Sequence, residues 1–107
     1  MMEENFWIRE LQMQLKMMPD LCKNINLLDS KLYLFVSACN KLSPNDIDIV
    51  LMYPYNLHKM QEIFRLRDEI IRYLGYKIKL QIHILTLSYE EEKQILFLSK
   101  ENAKFII

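Results

Sequence analysis

Asp46-Ile47-Asp48-Ile49-Val50-Leu51-Met52-Tyr53 is the stretch on which the fold turns. In a strand the side chains alternate between faces, so Asp46 and Asp48 share one face while Ile47, Ile49 and Leu51 share the other. The run is too apolar to leave a whole face wet, and Asp46 to Met52 reads as a central strand. Two carboxylates about 7 Å apart on one strand face can ligate Mg²⁺ ions that clamp a triphosphate. The plainer reading is a solvated strand start, where Asp is a common turn residue.

Upstream, Lys31-Leu32-Tyr33-Leu34-Phe35-Val36 is aromatic and aliphatic at strand length, and Ser37 to Asn45 is a loop with Ser43-Pro44-Asn45 as its turn. Downstream, Tyr53-Pro54-Tyr55-Asn56 ends the central strand. Residues 57–74 then read as a helix with Met60, Ile63, Phe64, Ile70, Ile71 and Leu74 as its stripe, and Gly75 stands where a terminating glycine would. Ile78 to Leu87 reads as a third strand, with Ile78, Leu80, Ile82 and Ile84 alternating with Lys79, Gln81 and His83. Ser88-Tyr89-Glu90-Glu91 is a capping box opening a helix to about Leu98.

Toward the amino terminus, residues 4–18 have an amphipathic pattern carried by Trp7, Ile8, Leu11, Leu15 and Met18. Pro19-Asp20 breaks that helix and starts a shorter one through Leu28. Phe105-Ile106-Ile107 is too short to assign. The expected class is α/β (α+β): a small mixed sheet of about three strands flanked by helices. It forms one domain over residues 1–107, with a helical segment at 1–28 and a core at 30–98.

Fourteen acidic and fourteen basic residues cancel, which argues against a broad electrostatic footprint for nucleic acid or anionic membrane. Cys22 and Cys39 are too few for a disulfide framework, and no apolar run approaches the roughly 20 residues that span a bilayer. A cytoplasmic protein is the expectation. Gly75 is the only glycine, so neither a G-x-G-x-x-G nor a P-loop phosphate cradle is present.

The stretch Leu34-Phe35-Val36-Ser37-Ala38, followed by Ser43-Pro44-Asn45-Asp46-Ile47-Asp48-Ile49-Val50, resembles the core of the minimal nucleotidyltransferases of the DNA polymerase beta-like superfamily. The similarity continues through Leu66-Arg67-Asp68-Glu69 and Ile82-His83-Ile84-Leu85-Thr86, over roughly residues 30 to 95. It implies that Asp46 and Asp48 hold Mg²⁺ and that Ser37 and Lys41 meet the phosphates of an NTP. It further implies in-line transfer of a nucleotidyl group, with loss of pyrophosphate, onto a hydroxyl of a protein, RNA or small molecule. Proteins of this kind are often paired with a small partner in toxin–antitoxin or defence operons.

The chain departs from that pattern in three places. Val36 stands where the family has glycine, and its β-branched side chain crowds the phosphate path. Gln81 stands where a third carboxylate belongs; it offers a carbonyl oxygen but cannot take a proton as a base. The loop from Ala38 to Asn45 is short, with Lys41 as its only cation. His83 is either a substitute ligand or base, or a polar residue on the wetter face of its strand. His58 reads as surface, and Cys39 lacks a visible partner for nucleophilic chemistry. Lys59, Arg65, Arg67 and Arg72, interleaved with Glu62, Asp68 and Glu69, read as a solvated, ion-paired helix face.

Two functions lead from these residues, beside a third, a nucleotide sensor that binds without turnover. One is a Mg-dependent nucleotidyltransferase with a partly degraded site made of Asp46, Asp48 and Gln81. The other is a catalytically silent scaffold that binds a protein partner through the Met-rich first helix, whose Trp7 and Phe6 are much to bury in so small a domain. Oligomerisation is compatible with either.

Overall fold

The computed structural model describes residues 6–35, 46–100 and 102–107. Helices α1 (Phe6–Lys16) and α2 (Pro19–Leu27) lead into strand β1 (Lys31–Leu34). Strand β2 (Asp46–Tyr53) is followed by a 3₁₀ turn (Leu57–Lys59), helix α3 (Met60–Ile78) and strand β3 (Gln81–Ser88). Helices α4 (Tyr89–Ile95) and α5 (Phe97–Lys100) and strand β4 (Lys104–Phe105) complete the chain.

The sheet order is β3-β2-β1-β4, with β1 antiparallel to β2 and β4, and β2 parallel to β3. A parallel pair cannot be closed by a hairpin, and α3 supplies the crossover. The mixed α+β class is therefore the one expected, with β2 in the interior of the sheet. Among the described residues the sheet has four strands rather than three. The added one is the short β4, which pairs with Tyr33 and Leu34. Just beyond it, the Leu32 N–H donates to the Ile107 carbonyl at 2.8 Å and the Ile106 N–H donates to the Leu32 carbonyl at 2.8 Å. Two residues have no period to read, so this strand exists only through its pairing.

Helices α1, α2 and α3 cover one sheet face. Ile47, Ile49 and Leu51 are fully buried there with Leu32, Leu34, Leu11, Leu15, Ile25, Ile70 and Leu74. On the opposite face Val50, Met52 and Leu87 are buried beneath Tyr33, Phe35, Tyr89 and Leu98. That second cover stops short of the first residues of β2 and β3. Asp46 and Asp48 are half-buried, and Gln81 and His83 are exposed.

The stripe of α1 faces its own molecule: Leu11 and Leu15 have no exposed surface, and Trp7 and Ile8 pack on the core. Met18, expected in that stripe, is exposed, as are Phe6, Met13 and Met17. Pro19 opens α2 from its first turn, where the missing N–H costs nothing.

Gly75 does not end α3. The helix runs on to Ile78, and Lys79 takes the left-handed terminating conformation at φ 63, its N–H donating to the Gly75 carbonyl at 2.9 Å. Strand β3 accordingly starts at Gln81, not at Ile78. The Ser88–Glu91 capping box forms as expected, but its helix stops at Ile95 because Leu96 turns left-handed at φ 52. Strand β1 ends at Leu34, although the Phe35 N–H still donates to the Asp48 carbonyl at 3.1 Å. Among the described residues no helix is long and apolar enough to cross a membrane.

Candidate metal centre

Strand alternation puts Asp46 and Asp48 on the open face of β2, and the fully buried Ile47 and Ile49 anchor the opposite face. The parallel register then sets Gln81 beside Asp46 and His83 beside Asp48. Register partners point to the same side of a sheet, so the four polar side chains share one patch.

Within that patch Asp46, Asp48 and His83 each bring a ligand atom within 4.8 Å of the others, the one such group among the described residues. His83 Nε2 lies 3.6 Å from an Asp46 carboxylate oxygen, and both side chains are nearly half exposed. That separation is too long for a hydrogen bond. An ion pair in this degree of contact with water contributes little to stability. Two ligands of one ion at about 2.1 Å can stand no further apart than roughly 4.2 Å. Small side-chain rotations at the surface close the remaining gap, so the residues fit a single divalent cation.

The surrounding groove is lined by Phe35, Asp48, His83 and Leu85, and by Arg67 and Asp68 of α3. Arg67 donates through Nε to an Asp68 carboxylate oxygen at 3.1 Å, and its guanidinium lies 5.1 Å from the centre of the Phe64 ring. The ion-paired reading of the helix face holds for this residue. Its place in the groove was not legible, because helical spacing does not tell which sheet edge the helix overlooks.

The expected site residues divide accordingly. Asp46 and Asp48 come together; Gln81 lies beside them on the same face but outside the three-ligand group. His83, open from the sequence as either a substitute ligand or a polar residue on the wetter strand face, joins the group. Ser37 and Lys41, with Val36 and Cys39, lie outside the described residues. Comparison of the chain with protein-family models, curated proteins and solved structures gave no match. The chemistry of the patch is therefore that of its own residues: two carboxylates and an imidazole, each partly exposed to solvent.

Proposed function

We propose that this chain is a nucleotidyltransferase-like protein that holds a divalent cation on Asp46 and Asp48 and transfers a nucleotidyl group from an NTP to a protein or RNA hydroxyl. The convergence of Asp46, Asp48 and His83 on the open sheet face carries the reading. A divalent cation held there would neutralise triphosphate charge and polarise the phosphoryl oxygens. Asp46 and Asp48 would anchor that cation, and Arg67, paired with Asp68, lines the same groove. Gln81 can accept a hydrogen bond from the acceptor hydroxyl but cannot take its proton. The proton leaves to water, which reaches these residues freely, and the lost base costs about 10² to 10⁴ in rate. Slow transfer is the expectation.

Gln81 also favours a second reading, a silent scaffold for a protein partner. One experiment separates the two. The protein is incubated with Mg²⁺ or Zn²⁺ and each labelled NTP, with protein and RNA acceptors, beside an Asp46→Ala/Asp48→Ala double variant. Label transfer that disappears in the folded double variant supports the enzyme. A biological effect that persists in that variant, with no transfer by either protein, ends that reading in favour of the scaffold.

A further inference from the structure

We infer that His83 is a metal ligand, and that it makes the centre take Zn²⁺ in preference to Mg²⁺. This rests on the reading of Asp46 and Asp48 as cation ligands and names the cation. The resemblance to the nucleotidyltransferases implies an oxygen-only set suited to Mg²⁺. The parallel register supplies a different third donor: it sets His83 beside Asp48 and brings its Nε2 to 3.6 Å from the Asp46 carboxylate.

The donor type favours zinc. Imidazole nitrogen is a good ligand for Zn²⁺ and a poor one for Mg²⁺, which prefers oxygen and keeps its water. Two carboxylates and one imidazole make a three-ligand set with a position left for water or a phosphate oxygen, the ligand count of an open zinc site. Gln81, exposed beside Asp46, adds no charge that would restore the preference for Mg²⁺.

The test measures Zn²⁺ and Mg²⁺ binding to the whole chain by calorimetry, with Co²⁺ absorption as a report on coordination geometry. His83→Gln should weaken Zn²⁺ at least about tenfold while leaving Mg²⁺ within about twofold, and should abolish the tetrahedral Co²⁺ bands. His83→Asp should narrow the Zn²⁺ preference by improving Mg²⁺ binding. His58→Gln and Cys22→Ser should change neither ion. Binding that needs Asp46 and Asp48 but is indifferent to His83 would overturn this inference and leave the proposed function standing. Wild-type protein that binds neither ion would overturn both. Circular dichroism checks that each variant is folded, as expected at the exposed His83.

Discussion

Asp46 and Gln81 face each other across the parallel pair, and this makes Gln81→Asp a sensitive probe. Like charges directly opposite in a sheet are destabilising by about 0.2–1 kcal/mol. In chelator the variant should melt below wild type by that amount. Added Mg²⁺ should reverse the difference, because the new carboxylate then has a cation to share. If the proposed function is right, label transfer should also rise, since Asp supplies the charge and base that Gln lacks. A melting temperature indifferent to Mg²⁺ would deny that Asp46 and residue 81 share a cation. The pairing of Asp46 with Asp48 was legible from alternation alone, since period two is a property of any strand. The arrival of His83 was legible only as one of two alternatives. Alternation places Gln81 and His83 on one face of their strand, but the offset between two parallel strands is set by the packing of α3 between them.

Strand β3 hands over to α4 through the Ser88–Glu91 capping box. The Glu91 N–H donates to Ser88 Oγ at 3.1 Å, and the Ser88 N–H donates to a Glu91 carboxylate oxygen at 3.0 Å. These contacts with the Ser88 backbone and hydroxyl hold the Glu91 carboxyl below its ordinary value. A group whose folded pKa is depressed contributes stability above its unfolded pKa, and loses it as pH falls through the folded pKa. Ser88→Ala should therefore cost about 0.5–2 kcal/mol at neutral pH. Urea melts should show only a part of that deficit shrinking in acid, because the larger contact, from the Ser88 backbone to the Glu91 carboxylate, survives in the variant. The other end of α3 carries a different strain. Lys79 sits at φ 63 with an exposed side chain, a conformation that disfavours any residue with a Cβ. Lys79→Gly should raise stability by about 0.5–1 kcal/mol in the same assay. The true end of α3 had a partial signal in the sequence. Ile71, Leu74 and Ile78 continue the helical spacing past Gly75. Glycine there meets no crowding that would require it, since an added Cβ would lie 3.8 Å from the Leu80 carbonyl oxygen. A lone glycine near a helix end is a stop only if the backbone turns left-handed, and here that turn falls four residues later.

Helix α1 is tied into the molecule from several sides, which decides how its surface should be probed for a partner. The Tyr73 hydroxyl of α3 donates to the Gln14 carbonyl at 2.8 Å, and Gln12 Nε2 donates to the Ile106 carbonyl at 2.9 Å. Leu11 and Leu15 lie in the same core as Ile47, Ile49 and Ile106. A pattern of apolar spacing marks this face as buried without saying whether the covering surface is the chain's own, and here it is the chain's own. Leu11→Ala should thus cost about 2–5 kcal/mol, the range for truncating a fully buried leucine. Loss of partner binding in such a variant would only report unfolding. Met13 and Met17 lie on the exposed side, at 50% and 62% exposure. Met13→Asp and Met17→Asp should leave stability within about 0.5 kcal/mol of wild type. Thermal denaturation of the three variants checks the contrast directly. Equal destabilisation by Leu11→Ala and Met17→Asp would mean that the exposed side of α1 is packed in solution. Wild-type melting of the two Met variants makes them the proper reagents for the scaffold reading, because a lost partner would then report the helix surface and not the fold.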